Sequence, residues 1–490
     1  MNHPLPAFAS DKSGRATARK AAILEHANRI ANERLQWIAR NSAYYEDDRR
    51  FMGFLVPKGQ RVLDLGCGTG DLLAALEPAH GVGIDLSPNM VAQAERLHPE
   101  LEFQVGDVED PAVIDRQQGP FDYIVMSDTI GMLDDIEIAL SRLHALCTPD
   151  TRVIIAYYSQ LWEPALRLAE RLGLKMPQPP VNYLSTTDFL NILELADFEP
   201  VKIEYRQLIP RNLFGLGRLI NRFVAPIPGL RRLCLRNYLV LRSLKAARPA
   251  ERSVSVIVPC RNERGNIEAA VTRLPAFGSH QEIVFVEGNS NDGTHEECLR
   301  VQKAYAATHK IKVLQQDGKG KGDAVRKAFA HAEGDILMIL DADLTMPPEA
   351  LPKFYAALVN GKGEMVNGSR LVYPMEDAAM RPLNFIANRF FASVFSYLVN
   401  QRFTDTLCGT KALSRHHYDA IAAGRDYFGD FDPFGDFDLI FGAAKQNLKI
   451  IEVPIHYGAR TYGETNISRF RDGFLLLRMV GFAFMKLKAL

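Results

Sequence analysis

Apolar residues along this chain fall into short continuous runs that alternate with longer amphipathic stretches. Continuous runs are typical of strands buried on both faces of a parallel sheet, and the stretches between them have the period of covering helices. A first series of predicted strands lies at residues 60–65, 81–85, 121–127 and 151–157. A second series lies at residues 253–259, 282–287, 311–314 and 335–340. The pattern predicts an α/β protein with two doubly wound sheets.

The length of the chain also indicates two domains. At 490 residues it is too long for one ordinary hydrophobic core. The two series place one domain at residues 20–245 and another at 253–490, joined by a linker at 246–252. The 58 basic residues balance the 58 acidic ones, which argues against a dedicated nucleic-acid-binding protein, so no nucleic-acid partner is expected. Six scattered cysteines and the lack of a signal-peptide pattern suit a reducing cytoplasm.

The first series contains a strand, a glycine-rich turn, a helix and a second strand that ends in an acid. The sequence VLDLGCGTG at residues 62–70 supplies the first strand and the turn, and Asp85 ends the second strand. Glycines let the backbone approach a ligand at a helix N-terminus, and a carboxylate at this position can accept hydrogen bonds from a ribose. The pattern favours a nucleotide-type cofactor site; for the glycines alone, a plain tight turn is the alternative.

Three motifs in this order resemble those of class I S-adenosylmethionine-dependent methyltransferases: VLDLGCGTG at 62–70, GIDLS at 83–87 and GDV at 106–108. The resemblance implies a Rossmann-like class I methyltransferase fold, closed by an antiparallel strand pair near residues 204–209 and 237–242. It also implies the cofactor-binding residues Asp64, Gly66, Gly68 and Gly70 at the methionine end, Asp85 and Leu86 at the ribose, and Asp107 with Val108 at the adenine. A nicotinamide-dependent dehydrogenase is the rival interpretation, but the turn lacks the GxGxxG spacing.

Methyl transfer from a sulfonium is an in-line displacement, so positioning of the acceptor can supply much of the rate. A base is needed only if the acceptor must lose a proton. Asp128, His144 and Tyr157 have suitable side chains, and a structural role is the alternative for each. We therefore assign no catalytic residue to this domain from the sequence.

The second series has its chemical centre after the run ILMIL at residues 336–340. Asp341 and Asp343 follow this run directly. Two carboxylates one residue apart at a strand end can bind a hard cation that also contacts phosphate oxygens. Solvated acids that end a strand are the alternative.

This half contains a series of polar motifs: VPCRNE at 258–263, SNDGT at 290–294, GKGKGDA at 318–324, DADL at 341–344, NGSR at 367–370, DTLCGTK at 405–411 and VPIHY at 453–457. In this order they resemble the motifs of family 2 glycosyltransferases with the GT-A fold, most closely the dolichyl- and polyprenyl-phosphate mannose or glucose synthases. The resemblance implies the nucleotide-sugar-binding residues Pro259, Arg261, Glu263, Glu287, Asp292, Lys321, Asp341 and Arg460. It further implies that Asp341 and Asp343 bind Mg²⁺ or Mn²⁺ against the diphosphate.

Two details leave the chemistry of this domain open. The sequence EGN at 287–289 departs from the Asp-Asp pair usual in that family, which leaves the nucleotide base and the sugar of the donor open. The expected donor is a UDP- or a GDP-hexose. The sequence GDFDL at 435–439 stands where the family has an acidic pair, which makes Asp438 and Asp436 the candidate catalytic bases for a hydroxyl acceptor. A phosphate acceptor needs no base, and the two acids would then only orient other residues. For Arg460, an ordinary surface arginine is the alternative to a phosphate contact.

Two stretches bear on membrane contact. Residues 212–236 are basic and apolar, with no acid between Glu204 and Glu251, and residues 466–490 predict an apolar helix with a basic end. Each suits a helix at the surface of an anionic membrane. The alternative is packing against its own domain or, for the C-terminal helix, against a second subunit. Neither reaches the ~20 uninterrupted apolar residues of a transmembrane span.

Taken together, the sequence predicts a bifunctional cytoplasmic enzyme. Peripheral contact with the inner face of the membrane is also expected. The second domain would transfer a hexose to a polyprenyl phosphate or another lipid-linked acceptor, and the first would methylate a glycan or glycolipid. The alternative is a glycosyltransferase for a soluble or protein acceptor, in which the first domain is a cofactor-binding regulatory module.

Overall fold

The computed structural model describes residues 17–179, 181–246, 251–374, 382–428, 435, 437–458, 460, 462 and 469–490. The chain divides into two compact units, Met1–Ala246 and Ala247–Leu490. Each unit contains its own seven-stranded sheet.

The first unit is built around a mainly parallel sheet with the strand order β3-β2-β1-β4-β5-β7-β6. Its strands are β1 (Arg61–Leu65), β2 (His80–Asp85), β3 (Glu102–Val105), β4 (Tyr123–Ser127), β5 (Arg152–Tyr158), β6 (Phe198–Arg206) and β7 (Arg236–Ser243). Strand β7 runs antiparallel to its neighbours β5 and β6. The doubly wound, Rossmann-like sheet predicted from the apolar runs is confirmed.

Helices cover this sheet, and several begin at residues that the sequence provides as caps. They are α1 (Ala18–Ile30), α2 (Arg34–Arg40), α3 (Ser42–Leu55), α4 (Asp71–Ala75), α5 (Pro88–Leu97), α6 (Pro111–Asp115), α7 (Ile136–Arg142), α8 (Glu163–Arg171), α9 (Thr186–Leu195) and α10 (Leu216–Phe223). In α5, Ser87 accepts a hydrogen bond from the Met90 amide and Pro88 occupies the first turn, as expected for a helix that starts directly after β2. The strand-to-helix turn therefore holds the end of β2 in a fixed position.

The second unit also has a mixed sheet, with the order β10-β9-β8-β11-β13-β12-β14. Its strands are β8 (Val254–Cys260), β9 (Gln281–Glu287), β10 (Lys310–Gln315), β11 (Ile336–Ile339), β12 (Met365–Ser369), β13 (Lys411–Ser414) and β14 (Ile450–Pro454). Its helices are α11 (Ile267–Thr272), α12 (Thr294–Ala304), α13 (Lys321–His331), α14 (Leu351–Val359), α15 (Pro382–Val399), α16 (Arg415–Ala423), α17 (Phe437–Lys445) and α18 (Arg469–Leu487). The four strands β10, β9, β8 and β11 are parallel, so their carboxyl ends share one edge.

Turns in the left-handed backbone region follow the central strands of both sheets. Asp128 follows β4, Asn262 follows β8, Asn289 follows β9 and Leu344 follows the end of β11, all with φ between 50° and 62°. Asparagine and aspartate tolerate this region better than other residues, and such turns bring the chain sharply back over the sheet edge. These turns place the polar loops at the carboxyl edge of each sheet.

Candidate active sites

A pocket of about 150 Å³ lies at the carboxyl edge of the first sheet. It brings together six of the eight residues predicted to bind a cofactor, namely Gly66, Gly68, Asp85, Leu86, Asp107 and Val108. The other two lie outside its wall: Asp64 is buried within β1, and Gly70 precedes α4. The ends of β1, β2 and β3 thus converge on one pocket.

The glycines of the turn after β1 are required by the backbone and by close neighbours. Gly66 and Gly68 have φ of +85° and +55°, and a Cβ at Gly66 would collide with the Thr129 side chain. At Gly68 a Cβ would lie 3.1 Å from the Nε of Arg34. The turn therefore exposes bare backbone to the pocket, as the glycine pattern predicts.

Asp85 is held at the end of β2 by two backbone amides. The Gly68 N–H donates to its Oδ2 at 2.8 Å, and the Ser87 N–H donates to its Oδ1 at 2.9 Å. Burial raises the pKa of Asp85, while these two hydrogen bonds and Arg34 act in the opposite direction. The carboxylate is consequently fixed in orientation beside the glycine turn.

Helix α1 contributes a cation that the sequence motifs did not indicate. The Lys20 ammonium forms ion pairs with Asp107 and, at 3.0 Å, with Glu109. Burial lowers the pKa of Lys20, but these two carboxylates outweigh it and the net shift is upward. Lys20 thus remains charged beside the predicted adenine end of the pocket.

Arg34 is the second residue that the motifs missed. It begins α2 and lies against Gly68. Its Nε is buried and has no hydrogen-bond partner within the part of the chain that the structure describes. Burial lowers the pKa of Arg34, but Tyr45, Asp85 and other nearby groups raise it overall. A charged donor therefore faces the glycine turn with an unused N–H.

A second chamber, also of about 150 Å³, adjoins this pocket. The two share Tyr45, Tyr158, Met176 and Gln178 as a common wall. The chamber is mostly apolar and aromatic, with further lining from Tyr44, Leu166, Leu174, Lys175, Pro210, Arg211 and Leu235. Its shape and lining suit an apolar ligand with a polar end at the shared wall.

Two polar groups stand at the shared wall. The Tyr44 hydroxyl donates to the Tyr158 hydroxyl at 2.9 Å, and burial holds the pKa of Tyr158 well above its usual value. The Oε1 of Gln178 is buried and has no partner among the described residues. The junction therefore offers a neutral hydroxyl and a free amide oxygen to a ligand that spans the two spaces.

Of the three candidate bases, only Asp128 lines the cofactor pocket. Arg236, which is fully buried, forms ion pairs with Asp128 and with Asp48, the latter at 3.0 Å. Burial raises the pKa of Asp128 despite this arginine. His144 instead bonds Ser243 and the Ala196 carbonyl, which matches the structural alternative.

Asp64 gives the first unit a pH-dependent stability that Asp64→Asn should remove. Burial, followed by the charge of Asp85, raises the pKa of Asp64 to about 7, against about 3.9 in an unfolded chain. A carboxyl whose pKa is higher in the folded state stabilises it at low pH, and this contribution is lost as the pH rises through the folded pKa. Relative to the wild type, the free energy of unfolding of the Asn variant should therefore increase by about 2–3 kcal/mol between pH 5 and pH 8.

Urea unfolding followed by tryptophan fluorescence measures this effect in the first unit alone, because both tryptophans, Trp37 and Trp162, belong to it. Equal pH dependence in the wild type and the variant would contradict the raised pKa.

In the second unit, a network of charged groups lies at the carboxyl edge of the sheet. The Lys321 ammonium donates to Oδ1 of Asp341 at 2.5 Å. The Arg460 guanidinium donates to Oδ2 of Asp343 at 2.7 Å and to Oε1 of Glu263 at 2.8 Å. Residues from three distant parts of the sequence therefore meet here.

The electrostatics of this network keep Asp341 ionised. Burial acts to raise the pKa of Asp341, but Lys321, Lys411 and Arg370 outweigh it and hold the pKa below its usual range. Burial raises the pKa of Glu263 in spite of Arg460. The edge thus holds negative oxygens at Asp341 beside cations that can also bind phosphate.

The remaining predicted nucleotide-sugar residues lie in the last residues of β8 and β9 and in the loops that follow them. Asp292 accepts hydrogen bonds from the Thr294 amide at 3.0 Å and from the Tyr462 hydroxyl at 3.2 Å. Glu287 is buried and accepts from the Ser290 amide at 2.5 Å. Pro259 is partly exposed and Arg261 is exposed at the end of β8. The loops after both strands are thereby tied to the same edge as Asp341.

The candidate catalytic acids are placed differently. Asp438, in the first turn of α17, forms an ion pair with Arg425 at 2.9 Å. Asp436 lies outside the described residues. The carboxylate of Asp438 is therefore engaged by Arg425. This ion pair favours the alternative in which Asp438 orients another residue over a role as a catalytic base.

Arg370 and Asp405, which lie in two of the sequence motifs but were assigned no role, form a buried ion pair near this edge of the sheet. Arg370 donates to both carboxylate oxygens of Asp405, at 2.6 and 2.8 Å, and Asn388 donates to the same group. Asp405 is fully buried. A bidentate pair of this kind fixes the loop that continues to Gly409.

Gly409 packs directly against the Lys321–Asp341 pair. A Cβ at this position would collide with both the Lys321 ammonium and the Asp341 carboxylate. Gly409→Ala should therefore displace the pair and lower glycosyl transfer by about 10- to 100-fold, since small misplacements of reacting groups have effects of this size. Gly424→Ala is the matched control, because its Cβ would meet its neighbours only at an ordinary distance of 3.5 Å. Equal activity of the two variants would show that the pair is not needed.

Comparison with known families agrees with the two sites. Residues 255–422 match the family model for glycosyl transferase family 2, and residues 35–203 match that for a methyltransferase domain. Among curated proteins, the chain is 29% identical over 244 residues to the low-salt glycan biosynthesis hexosyltransferase Agl6 of Haloferax volcanii. It is 30% identical over 225 residues to a dolichol-phosphate mannosyltransferase of Pyrococcus furiosus.

These matches are partial in length. They cover 47% and 44% of this chain, and 55% and 59% of the respective relatives. Among solved structures, an S-adenosylmethionine-dependent methyltransferase from Thermotoga maritima is 18% identical, with a TM-score of 0.36, over 45% of this chain and 99% of that one.

Proposed function

We propose that this chain, which joins a methyltransferase domain to a family 2 glycosyltransferase domain, carries out both transfers in one glycan or glycolipid pathway. The second unit transfers a hexose from UDP- or GDP-hexose to a polyprenyl phosphate or a related lipid-linked acceptor. The first unit transfers a methyl group from S-adenosylmethionine to a glycan or glycolipid acceptor.

The observation that carries the glycosyl transfer is the network of Asp341, Asp343, Glu263, Lys321 and Arg460 at one sheet edge. The leaving group of the reaction is a nucleoside diphosphate, whose negative charge must be stabilised. Asp341 and Asp343 offer only oxygen donors, which suits Mg²⁺ or Mn²⁺. Such a cation would supply Lewis-acid stabilisation of the diphosphate, and Lys321 and Arg460 are close enough to these carboxylates to contact its oxygens.

The lipid acceptor is supported by the surface of the second unit and by the name of one relative. Helices α15 and α18 pack against each other and leave Ile386, Phe390, Phe474 and Leu477 more than half exposed. Exposed apolar side chains on paired helices suit contact with a prenyl chain or the membrane that holds it. Within the described residues, no helix has the length and apolar content to cross a bilayer.

The methyl transfer is supported by the fit of the first pocket to S-adenosylmethionine. Asp85 offers carboxylate oxygens to the ribose, Val108 offers an apolar wall to the adenine, and Arg34 has an unused buried N–H for the methionine carboxylate. The cofactor supplies the electrophilic methyl group. The adjoining chamber receives the acceptor, and Gln178 and Tyr158 orient its polar end at the shared wall.

Incubation with UDP- and GDP-hexoses and a C55 polyprenyl phosphate, with and without Mn²⁺, tests the glycosyl transfer. We expect metal-dependent release of the nucleoside diphosphate and formation of a sugar-linked lipid. Activity that persists in EDTA, or activity only with soluble acceptors, would contradict the proposal.

Incubation of the lipid product with radiolabelled S-adenosylmethionine tests the methyl transfer. We expect label in the lipid fraction and formation of S-adenosylhomocysteine. Cofactor binding without product in any lipid or glycan fraction would instead support a regulatory role for the first unit.

A further inference from the structure

The segment of residues 211–233, which contains α10, presents apolar side chains to solvent at high density. Eight large apolar residues in it are exposed: Leu213, Phe214, Leu216, Leu219, Phe223, Ile227, Leu230 and Leu233. Single exposed apolar residues are common on protein surfaces, but a contiguous group of this size marks a contact surface.

The orientation of α10 explains how this surface arises. Asn221 fixes the helix to the connection that follows β6, because its side-chain amide accepts from the Ile209 N–H at 2.9 Å and donates to the Ile209 carbonyl at 2.8 Å. Gly217, one turn earlier, packs so closely on the Arg211 carbonyl that a Cβ would collide. The stripe of Leu216, Leu219 and Phe223 consequently faces outward. An ordinary surface helix buries such a stripe.

The turn before α10 holds an aromatic side chain in full exposure at a conformational cost. Leu213 and Phe214 both have left-handed backbones, with φ of 45° and 57°, and Phe214 is fully exposed. Non-glycine residues seldom adopt this region, and those that do cluster at functional sites. The Phe214 side chain is not buried against its own unit in this conformation, so its exposed position points to an external apolar partner.

The charge of the segment identifies that partner. It contains five arginines and no acid, and no acid occurs anywhere between Glu204 and Glu251. Arg218 and Arg222 flank the outward stripe of α10 and are exposed. Apolar side chains ringed by arginines match the interface of an anionic bilayer, where the former enter the acyl boundary and the latter meet lipid phosphates.

We propose that the 211–233 segment binds the first unit to the surface of an anionic lipid bilayer, with Phe214, Leu219 and Phe223 inserted among the acyl chains. The surface continues to the start of α8, because the Trp162 indole N–H donates to the Leu233 carbonyl at 2.8 Å beside the exposed Leu161. Pro210 and Arg211, at the start of the segment, also line the second chamber. The inference rests on this surface and not on either transfer activity.

Sedimentation of the full chain with vesicles tests the proposal. Vesicles of phosphatidylglycerol and phosphatidylcholine should bind the wild type, and pure phosphatidylcholine vesicles should bind it at least tenfold more weakly. Leu219→Glu should lower the affinity for the anionic vesicles about tenfold or more. The matched control is Leu195→Glu on α9, because Leu195 is 58% exposed and Leu219 is 57% exposed. Arg218→Glu should lower the affinity at least fivefold, and Arg96→Glu on α5 should leave it unchanged.

A local readout separates this surface from the apolar helices of the second unit. Phe214→Trp should show a blue-shifted emission on anionic vesicles and stronger quenching by brominated acyl chains than the wild type shows. Leu195→Trp should show neither change. An unquenched Trp at position 214, or equal vesicle binding by Leu219→Glu and the wild type, would overturn the proposal. So would a wild-type dimer in vesicle-free solution that Leu219→Glu converts to a monomer, since a second copy would then cover this surface.

Discussion

Asp341→Asn should abolish glycosyl transfer, with a fall in turnover of about 10³-fold or more, and leave S-adenosylmethionine binding unchanged. The variant keeps the size of the side chain but removes the negative charge that Lys321 now balances at 2.5 Å. If Asp341 holds a divalent cation against the diphosphate, the variant loses Lewis-acid stabilisation worth several kcal/mol. Mn²⁺-dependent binding of UDP and GDP, measured by calorimetry, should be lost together with turnover.

The same helix provides a control for this variant. Lys327 of α13 forms an ion pair of 2.7 Å with Asp317, whose side chain is 81% exposed, whereas Lys321 begins the same helix and pairs with Asp341. Asp317→Asn removes an equivalent pair in solvent and should change turnover less than twofold. If Asp341→Asn retained metal-dependent turnover near that of Asp317→Asn, the assignment of Asp341 to the diphosphate site would be wrong.

The sheets and the pocket edges could be predicted because they depend on local patterns. Strands β1, β2 and β11 are apolar runs that end in or lead into glycine or acid, so the positions of Gly66, Asp85 and Asp341 relative to their sheets follow from the sequence. The carboxyl ends of parallel strands meet at one edge whatever the helices between them do. The fold class was therefore predictable without any knowledge of side-chain packing.

The residues that complete the sites could not be predicted in this way, because they come from helices before the first strand or from long connections. Lys20 is 87 residues from Asp107, and Gln178 belongs to the connection between α8 and α9. No periodicity links such positions, and only the packing of α1 and α2 over the sheet brings them to the pocket. The orientation of α10 could not be predicted either. Its amphipathic period follows from the sequence, but which face packs on the domain depends on the hydrogen bonds of Asn221.

The predicted site residues of the second unit differ in their hydrogen-bond and ion-pair partners. Arg460 donates hydrogen bonds to Asp343 and Glu263, and Lys321 donates to Asp341. Asp438 instead pairs with Arg425. If the acceptor is a phosphate, it is already ionised and needs no base. The engagement of Asp438 by an arginine thus agrees with the proposed polyprenyl phosphate acceptor.

Arg34→Met should weaken the binding of S-adenosylmethionine by about 10²-fold, because a hydrogen bond between charged groups in a buried site contributes up to about 3 kcal/mol. The Nε of Arg34 is buried beside the glycine turn without a partner among the residues described. We expect the methionine carboxylate to take this N–H when the cofactor binds. Arg40→Met, at the other end of α2, is the control, since the Arg40 guanidinium lies over the Trp37 ring.

A truncated ligand isolates the interaction. 5′-Methylthioadenosine has the adenosine part of the cofactor but lacks the methionine carboxylate, so Arg34→Met and the wild type should bind it with equal affinity in calorimetry. Arg34→Lys should bind S-adenosylmethionine with intermediate affinity, because it keeps the positive charge but not the planar donors. If Arg34→Met weakened both ligands equally, Arg34 would support the shape of the glycine turn through Gly68 and not contact the cofactor's carboxylate.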